Sequence, residues 1–293
     1  MRRWFAIAKA TTLEILSEPL SLLLLLSALT LAVLAPALHY HQFGESTRMA
    51  REAGLSALFT FGTVFAVAGI FRSFRRELET GTAQMAMAHS VSRGVFFFAK
   101  FSGALAAYAV FAVILANVSF VMVCGAAVGG EIARRSGDIA RLWAPALAAG
   151  LAVVVLAPAV AAALNRFWRV RFVLSAFAAA FLISSAGMAW FMDFPLAARL
   201  SGAWLVLAFP AAVHIAAASA FAVGMRQSFA VAATALTMTL SSCAVGNYYL
   251  ADFLSKGGAV PWMYVAEALL ASLPAVAAFV VLGVHLFERR DIA

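Results

Sequence analysis

The chain has 293 residues, of which 65% are hydrophobic and 12% are charged, and its mean hydropathy is +0.96. Soluble domains are about 45–50% apolar and about 25% charged, so this composition excludes a soluble protein and predicts an integral membrane protein. The net charge of +8 comes from cations scattered along the chain, unlike the clustered basic patch of a nucleic-acid-binding protein. We therefore expect a lipid membrane and no nucleic acid as a partner.

The amino-terminal residues predict an amphipathic helix at the membrane surface. The residues at helical spacing on its less polar face are Trp4, Ile7, Ala8, Thr11 and Ile15. Charged residues occupy the other faces, as in helices that lie in the membrane interface. Pro19 marks a break before the next apolar segment. Residues 1–19 are predicted to form this interfacial helix, although a plain membrane anchor would show the same pattern.

Residues 20–293 predict a single transmembrane domain. A helix needs about 20 apolar residues to cross a bilayer, and eight segments have this character. They lie at 20–38, 54–71, 102–128, 143–164, 172–191, 202–224, 227–250 and 263–287. Because cytoplasmic loops are enriched in Lys and Arg, we place the amino end inside, which puts 14 of the 21 Lys and Arg residues on the inner side. The predicted fold is an all-α polytopic membrane helix bundle of about eight transmembrane helices, six plus an extra pair, with both ends cytoplasmic. The alternative is six transmembrane helices with a pair of segments between 143 and 250 that is re-entrant or lies flat.

A long charged loop, residues 72–101, separates the second and third predicted spans. It contains two acids, a Gly-Thr break and a Val-Ser-Arg sequence, in the order in which they occur in the coupling segment of ABC-2 type transporter permeases. The chain resembles that family at Glu77, Glu79, Gly81, Thr82, Val91, Ser92, Arg93 and Lys100. It departs from the family at Ser90 and Ala99, where Pro and Gly are usual. The ending Phe287-Glu288-Arg289-Arg290-Asp291 is also similar to the end of many such permeases.

The resemblance implies a transmembrane permease subunit of an ABC-2 type exporter. Such a subunit forms half of a dimer, with an identical or a sister permease, in the bacterial inner membrane. It moves its substrate outward while a separate ATPase subunit, bound at the cytoplasmic face, hydrolyses ATP. The substrate itself is not implied. By this resemblance the ATPase-docking interface comprises Glu77, Glu79, Gly81, Thr82 and Arg93. A solvated turn whose acids balance Arg75 and Arg76 is the alternative interpretation of the same residues.

No nucleotide-binding or catalytic motif is present in the sequence. A P-loop requires Gly-Lys followed by Ser or Thr, but the three lysines are followed by Ala10, Phe101 and Gly257. ATP and Mg²⁺ are therefore expected in the partner, with no cofactor and no enzymatic activity in this chain. Cys124 and Cys243 lack the spacing of a metal or redox site, and whether they pair is left open. No metal site is predicted.

A hydroxyl-bearing face of the seventh predicted span suggests a candidate translocation path. This path comprises Thr234, Thr237, Ser241 and Tyr248, together with Glu267, the one acid inside a predicted span. Ionisable groups within a membrane are functional by default, but hydroxyls on membrane helices also tie neighbouring helices together. Two further functions remain open: an ion-coupled secondary carrier or channel, and a non-transporting assembly subunit of a membrane complex.

Overall fold

The structure is a computed structural model that describes residues 2–37, 46–81, 91–136, 139–191, 194–225, 227–241 and 260–289. Every regular element in these ranges is a helix. In chain order they are α1 (Arg2–Leu16), α2 (Pro19–Ala37), α3 (Ser46–Ala57), a π-helical turn (Leu58–Gly62), α4 (Thr63–Glu79), α5 (Arg93–Ser136), α6 (Ile139–Trp168), α7 (Phe172–Trp190), α8 (Phe194–Gly224), α9 (Gln227–Ser241) and α10 (Trp262–Arg289).

Within the described ranges, seven helical segments are long and apolar enough to cross a membrane. They correspond to seven of the eight predicted spans, with α3, the π-helical turn and α4 together forming the second. The predicted span at 227–250 coincides in part with α9, whose apolar portion Phe229–Met238 is shorter than the others. Its remaining residues lie outside the described part of the chain. The class of a multi-pass helical membrane protein is therefore confirmed, while the count of eight and the orientation of the ends stay predictions.

The amphipathic helix α1 packs against α5. Ala8, Thr11 and Ile15, on its predicted apolar face, are buried. The approach is close at Gly103 of α5, whose carbonyl oxygen accepts a 2.9 Å hydrogen bond from the Thr12 hydroxyl. The first helix therefore covers part of the bundle, and its position at the membrane surface stays a prediction. The chain then turns, and α2 begins at a proline, a residue tolerated in the first turn of a helix.

The helix α5 is central to the bundle, since it packs against α1, α2, α3, α4, α6, α7, α8 and α10. Stacking of Phe111 on Phe65 of α4, with ring centroids 4.7 Å apart, is part of this core. In contrast, α10 is peripheral and packs mainly against α8. Large apolar side chains on α10, including Leu270 and Val281, are about two-thirds exposed. They face lipid or a second protein.

The predicted Gly-Thr break after the second span is confirmed at its first residue. Helix α4 ends at Glu79, and Gly81 adopts a φ of 70°. That left-handed conformation is disfavoured by a Cβ atom, which explains why Gly stands just beyond the helix. Thr82 lies outside the described residues. At the other side of the loop, α5 begins at Arg93, so α4 and α5 bring the two halves of the predicted coupling motif to one end of the bundle.

Candidate functional site

Lys100 is completely buried, although it follows the first residue of α5 by only seven positions, which corresponds to a rise of roughly 10 Å. Its ammonium donates to Glu77 Oε1 at 2.9 Å, Ser73 Oγ at 2.6 Å and the Ser73 carbonyl oxygen at 3.2 Å. An ammonium has three N–H donors, so these three acceptors, all on α4, account for them. Lys100 therefore fastens the start of α5 to the last turns of α4.

A second carboxylate, from α1, completes this arrangement. Glu14 Oε2 lies 3.8 Å from the Lys100 ammonium and accepts a 2.7 Å hydrogen bond from the Ser73 hydroxyl. The other oxygen of Glu14 lies 3.8 Å from the Arg76 guanidinium. We name Glu14, Ser73, Arg76, Glu77 and Lys100 the charged cluster. Its two carboxylates and two cations cancel formally, as burial of charge requires.

Aromatic side chains surround the buried cation of the charged cluster. The Lys100 ammonium lies 5.6 Å from the ring centroid of Phe74 and 5.9 Å from that of Phe96. At these distances the rings attract a cation through their quadrupoles, and their bulk keeps water from it. The charged cluster therefore joins α1, α4 and α5 through a desolvated centre. The amino-terminal helix is held at the base of the predicted coupling loop.

The two acids of the predicted docking interface have different surroundings. The Glu77 side chain is 26% exposed and binds Lys100 within the charged cluster. The Glu79 side chain is 60% exposed, and among the described residues its ion pair is with Arg75, one turn earlier on the same helix. Exposed pairs of this kind contribute about 0.3–0.5 kcal/mol. Of the two carboxylates, Glu79 is therefore the one available to another protein.

Arg93, the predicted basic member of the docking interface, contacts the end of the last helix. Its guanidinium donates to the Phe287 carbonyl oxygen at 3.3 Å and also to the carbonyl oxygen of Glu288. The last carbonyls of a helix lack intrahelical partners and carry the negative end of the helix dipole, so an Arg there is favourable. Two segments that resemble the permease family, the Val-Ser-Arg sequence and the ending that starts at Phe287, are therefore in contact with each other.

The predicted translocation path is described only in part. The hydroxyls of Thr234 and Thr237 donate to the carbonyl oxygens of Ala230 and Thr234 respectively, both at 2.8 Å. These are bonds within α9 and do not tie it to another helix. Ser241 is the last residue of α9, and Tyr248 lies outside the described residues. Glu267 is exposed on the peripheral helix α10.

An apolar groove of about 760 Å³ lies between α4 and α9 and ends at the same end of the bundle as the charged cluster. Its walls are formed by Val64, Val67, Ala68, Phe71, Arg72, Arg75, Leu78, Glu79, Ala222, Met225, Ala230, Val231, Thr234, Ala235 and Met238. Eleven of these side chains are apolar, and the three charged ones belong to the last two turns of α4. The volume is within the range of about 300–1,000 Å³ found for ligand pockets.

The charged cluster was not predicted from the sequence. In the sequence Lys100 is only a match to a family pattern, and Glu14 is only one of the charged residues on the polar faces of the first helix. A signal does exist, because Lys100 lies in the run Val95-Phe96-Phe97-Phe98-Ala99-Lys100-Phe101. A lysine among large apolar residues indicates either a buried partner for its ammonium or a side chain that extends to the membrane interface. The sequence does not reveal that the carboxylates come from positions 14 and 77.

The seven apolar helices of spanning length among the described residues define the chain as a multi-pass helical membrane protein. Among the described residues, no group of three or more His, Cys, Asp or Glu side chains is arranged to hold a metal ion. Cys124 is buried and its thiol donates to the Phe191 carbonyl oxygen at 3.6 Å, while Cys243 lies outside the described ranges.

Comparisons with protein-family models, with curated proteins and with solved structures find no match to this chain.

Proposed function

We propose that this chain is the permease subunit of an ABC-2 type exporter in a bacterial inner membrane. It works as half of a dimer, with a second copy or a sister permease. A separate ATPase subunit binds ATP and Mg²⁺ and docks at the end of the bundle that carries the charged cluster. This chain transports without catalysing a covalent reaction.

The observation that carries this proposal is the order of motif residues at the junction of α4 and α5. The acids, the Gly81 break and the Val-Ser-Arg sequence flank one loop. The charged cluster fixes the two helices that bear this loop to each other and to α1. A movement imposed on the loop would therefore be passed to three helices together. Such rigidity suits a segment that couples an ATPase to a membrane domain.

Within this proposal the predicted docking residues divide their roles. Glu79 supplies an exposed carboxylate for a basic residue of the ATPase, and its weak pair with Arg75 is readily exchanged. Glu77 instead holds the end of α4 against Lys100. Arg93 holds the start of α5 against the end of α10. Glu77 and Arg93 thus position the loop, and Glu79 contacts the partner.

We expect Glu79→Arg to abolish association with the ATPase while leaving the protein folded. Reversing the charge of an exposed interfacial carboxylate places two cations together, which costs several kcal/mol in a docked interface. The measurement is to tag the chain, extract it gently from its native membranes and identify the co-purifying proteins by mass spectrometry. Wild type is expected to recover a P-loop ATPase in stoichiometric amount, and the variant less than a tenth of it.

The matched control is Glu52→Arg, at the opposite end of the same span. Glu52 also accepts from an Arg one helical turn earlier, Arg48, and its side chain is 45% exposed. This variant removes a pair of the same spacing, and also the carboxylate beside the buried Arg51, so its folding is checked by size-exclusion chromatography. We expect normal recovery of the ATPase. Equal recovery from Glu79→Arg and Glu52→Arg would exclude Glu79 from the interface. Absence of any ATPase from the wild-type preparation would reject the exporter proposal itself.

The second candidate function is an ion-coupled carrier, favoured by the buried charge of Lys100. A carrier of this kind needs ionisable groups inside the membrane domain, and the charged cluster supplies them. However, the cluster is close to one membrane end and its ammonium donors are used within the protein. We therefore rank it below the exporter. Uptake of a solute that depends on a proton gradient, in vesicles that contain the purified chain alone, would reverse that ranking.

A further inference from the structure

The groove between α4 and α9 has a polar end and an apolar interior. Its charged side chains, Arg72, Arg75 and Glu79, belong to the last turns of α4. Deeper in the groove the polar side chain is Thr234, whose hydroxyl is already bonded to the Ala230 carbonyl oxygen. A ligand that fills the groove therefore needs an apolar body and one polar head. That head must lie at the end where α4 carries its arginines.

The length of the groove corresponds to one leaflet of a bilayer. From Val64 to Glu79, the first and last lining residues of α4, the helix rises by roughly 22 Å at 1.5 Å per residue. One leaflet of a membrane, including its headgroups, is about 20–22 Å thick. Val64 and Val231, on the two walls, are 45% and 50% exposed, so the groove is open along its side. A molecule in the adjoining leaflet can enter it without leaving the membrane.

We propose that this groove binds an anionic membrane lipid of the leaflet next to the charged end. Its acyl chain lies between the apolar walls formed by α4 and α9. Its phosphate binds Arg72 and Arg75, one turn apart on α4. Arg is suited to this role because its guanidinium offers two parallel N–H donors to a phosphate. The inference is independent of the exporter proposal, since it requires no ATPase and no transport.

Two carboxylates at the mouth of the groove compete with the lipid phosphate. Arg72 pairs with Glu18 through one Nη atom, and Arg75 pairs with Glu79 through Nε. Each guanidinium carries five N–H donors, so a phosphate can bind while these contacts persist. Both arginine side chains are about half exposed, and exposed pairs contribute at most about 1 kcal/mol. With Glu18 counted, the four charged groups at the mouth cancel formally. The preference for an anionic head therefore comes from the unused guanidinium N–H donors, which bind a phosphate most strongly when no ammonium of the same lipid neutralises it.

The length of the groove also argues against a helix of a second copy as its occupant. A partner helix that crosses the membrane would contact both leaflets, whereas the lining residues of α4 extend over about one. The walls carry small and flexible apolar side chains, including Ala68, Ala235 and Met238. Such a surface adapts to an acyl chain.

The test is native mass spectrometry of the full-length protein released from a neutral detergent. Dioleoyl phosphatidylglycerol and dioleoyl phosphatidylcholine, which share their acyl chains, are titrated separately. We expect the wild-type protein to bind one phosphatidylglycerol with about tenfold lower Kd than phosphatidylcholine. Arg72→Gln combined with Arg75→Gln should remove this preference. Ala68→Phe, which places a ring in the groove, should weaken binding of both lipids.

The matched control replaces two exposed arginines elsewhere, Arg166 and Arg171, with Gln. This control loses the same charge and should keep the preference for phosphatidylglycerol. Equal binding of the two lipids by the wild-type protein would overturn the proposal without any variant. A preference that survives the Arg72→Gln, Arg75→Gln double variant would overturn it as well. If a second copy fills the groove, Ala68→Phe would alter the oligomeric mass and leave lipid binding unchanged, and this too would reject the proposal.

Discussion

We expect Lys100→Met to lower the free energy of unfolding by about 3–5 kcal/mol, the usual cost of removing one partner of a buried ion pair. Met retains most of the apolar stem of Lys, so packing is nearly conserved. What is lost is the ammonium that neutralises Glu14 and Glu77. Glu77 then loses its ion pair with Lys100, while Glu14 keeps the Ser73 hydroxyl and the Arg76 guanidinium. The measurement is the thermal unfolding midpoint in a mild nonionic detergent. Unfolding is monitored as loss of the monodisperse peak in size-exclusion chromatography after heating.

Two further variants distinguish the effect on stability of breaking a buried ion pair from the effect of removing a positive charge. Lys9→Met removes a cation from the exposed face of α1, and we expect a change within about 0.5 kcal/mol. Combining Lys100→Met with Glu77→Met replaces the pair by apolar groups, which is often neutral for a buried pair. This double variant should regain more than half of the lost stability. If Lys100→Met were as stable as Lys9→Met, the ammonium would have to be hydrated, contrary to its complete burial.

The membrane class and most helix positions could be predicted because they depend on local composition. Eight apolar stretches of spanning length are visible in the sequence without any tertiary information, and seven of them correspond to spanning helices among the described residues. The end of α4 was also visible, since Gly81 is needed where the chain adopts a positive φ. The π-helical turn Leu58–Gly62 was not predicted, because its residues read as an ordinary part of the span. A π-helical turn and an α-helical turn differ in backbone hydrogen bonding, and the hydropathy of the sequence does not distinguish them.

The charged cluster could not be predicted because it depends on contacts between distant parts of the chain. Glu14 and Lys100 are separated by 86 positions, and Ser73 connects them through its hydroxyl. Spacing along a helix predicts neighbours three or four residues apart. It does not predict which face of α1 meets which turn of α5. The same limit applies to Arg93, whose contact with the last carbonyls of α10 joins residues almost 200 positions apart.

The fit of α1 against α5 depends on the absence of a side chain at Gly103. A Cβ atom there would lie 2.5 Å from the Ala8 carbonyl oxygen and 2.8 Å from Thr11 Cβ. The first of these is a backbone atom of α1, which cannot move aside as the tip of a flexible side chain can. The helix as a whole would have to shift. Because Glu14 belongs to the next turn of α1, such a shift also pulls a carboxylate out of the charged cluster.

We therefore expect Gly103→Ala to destabilise the protein, although Ala favours helices over Gly by up to about 1 kcal/mol. Overpacking of a close interface costs about 1–3 kcal/mol, which outweighs that gain. The matched control is Gly94→Ala on the same helix, where a Cβ would meet Val284 Cγ1 at an ordinary 3.6 Å. Thermal unfolding midpoints should fall for Gly103→Ala and stay the same or rise for Gly94→Ala.

A thiol-labelling experiment shows whether the cause is displacement of α1. Thr11 is buried in the wild-type protein, so Thr11→Cys is introduced with Cys124 and Cys243 replaced by Ala. Maleimide labelling of this thiol should be at least tenfold faster with Gly103→Ala than with Gly94→Ala, because a displaced helix exposes its inner face. Equal labelling rates would mean that α1 stays seated and that α5 has adjusted instead. We expect the first result, because α1 packs mainly against α5, whereas α5 is held by seven other helices as well.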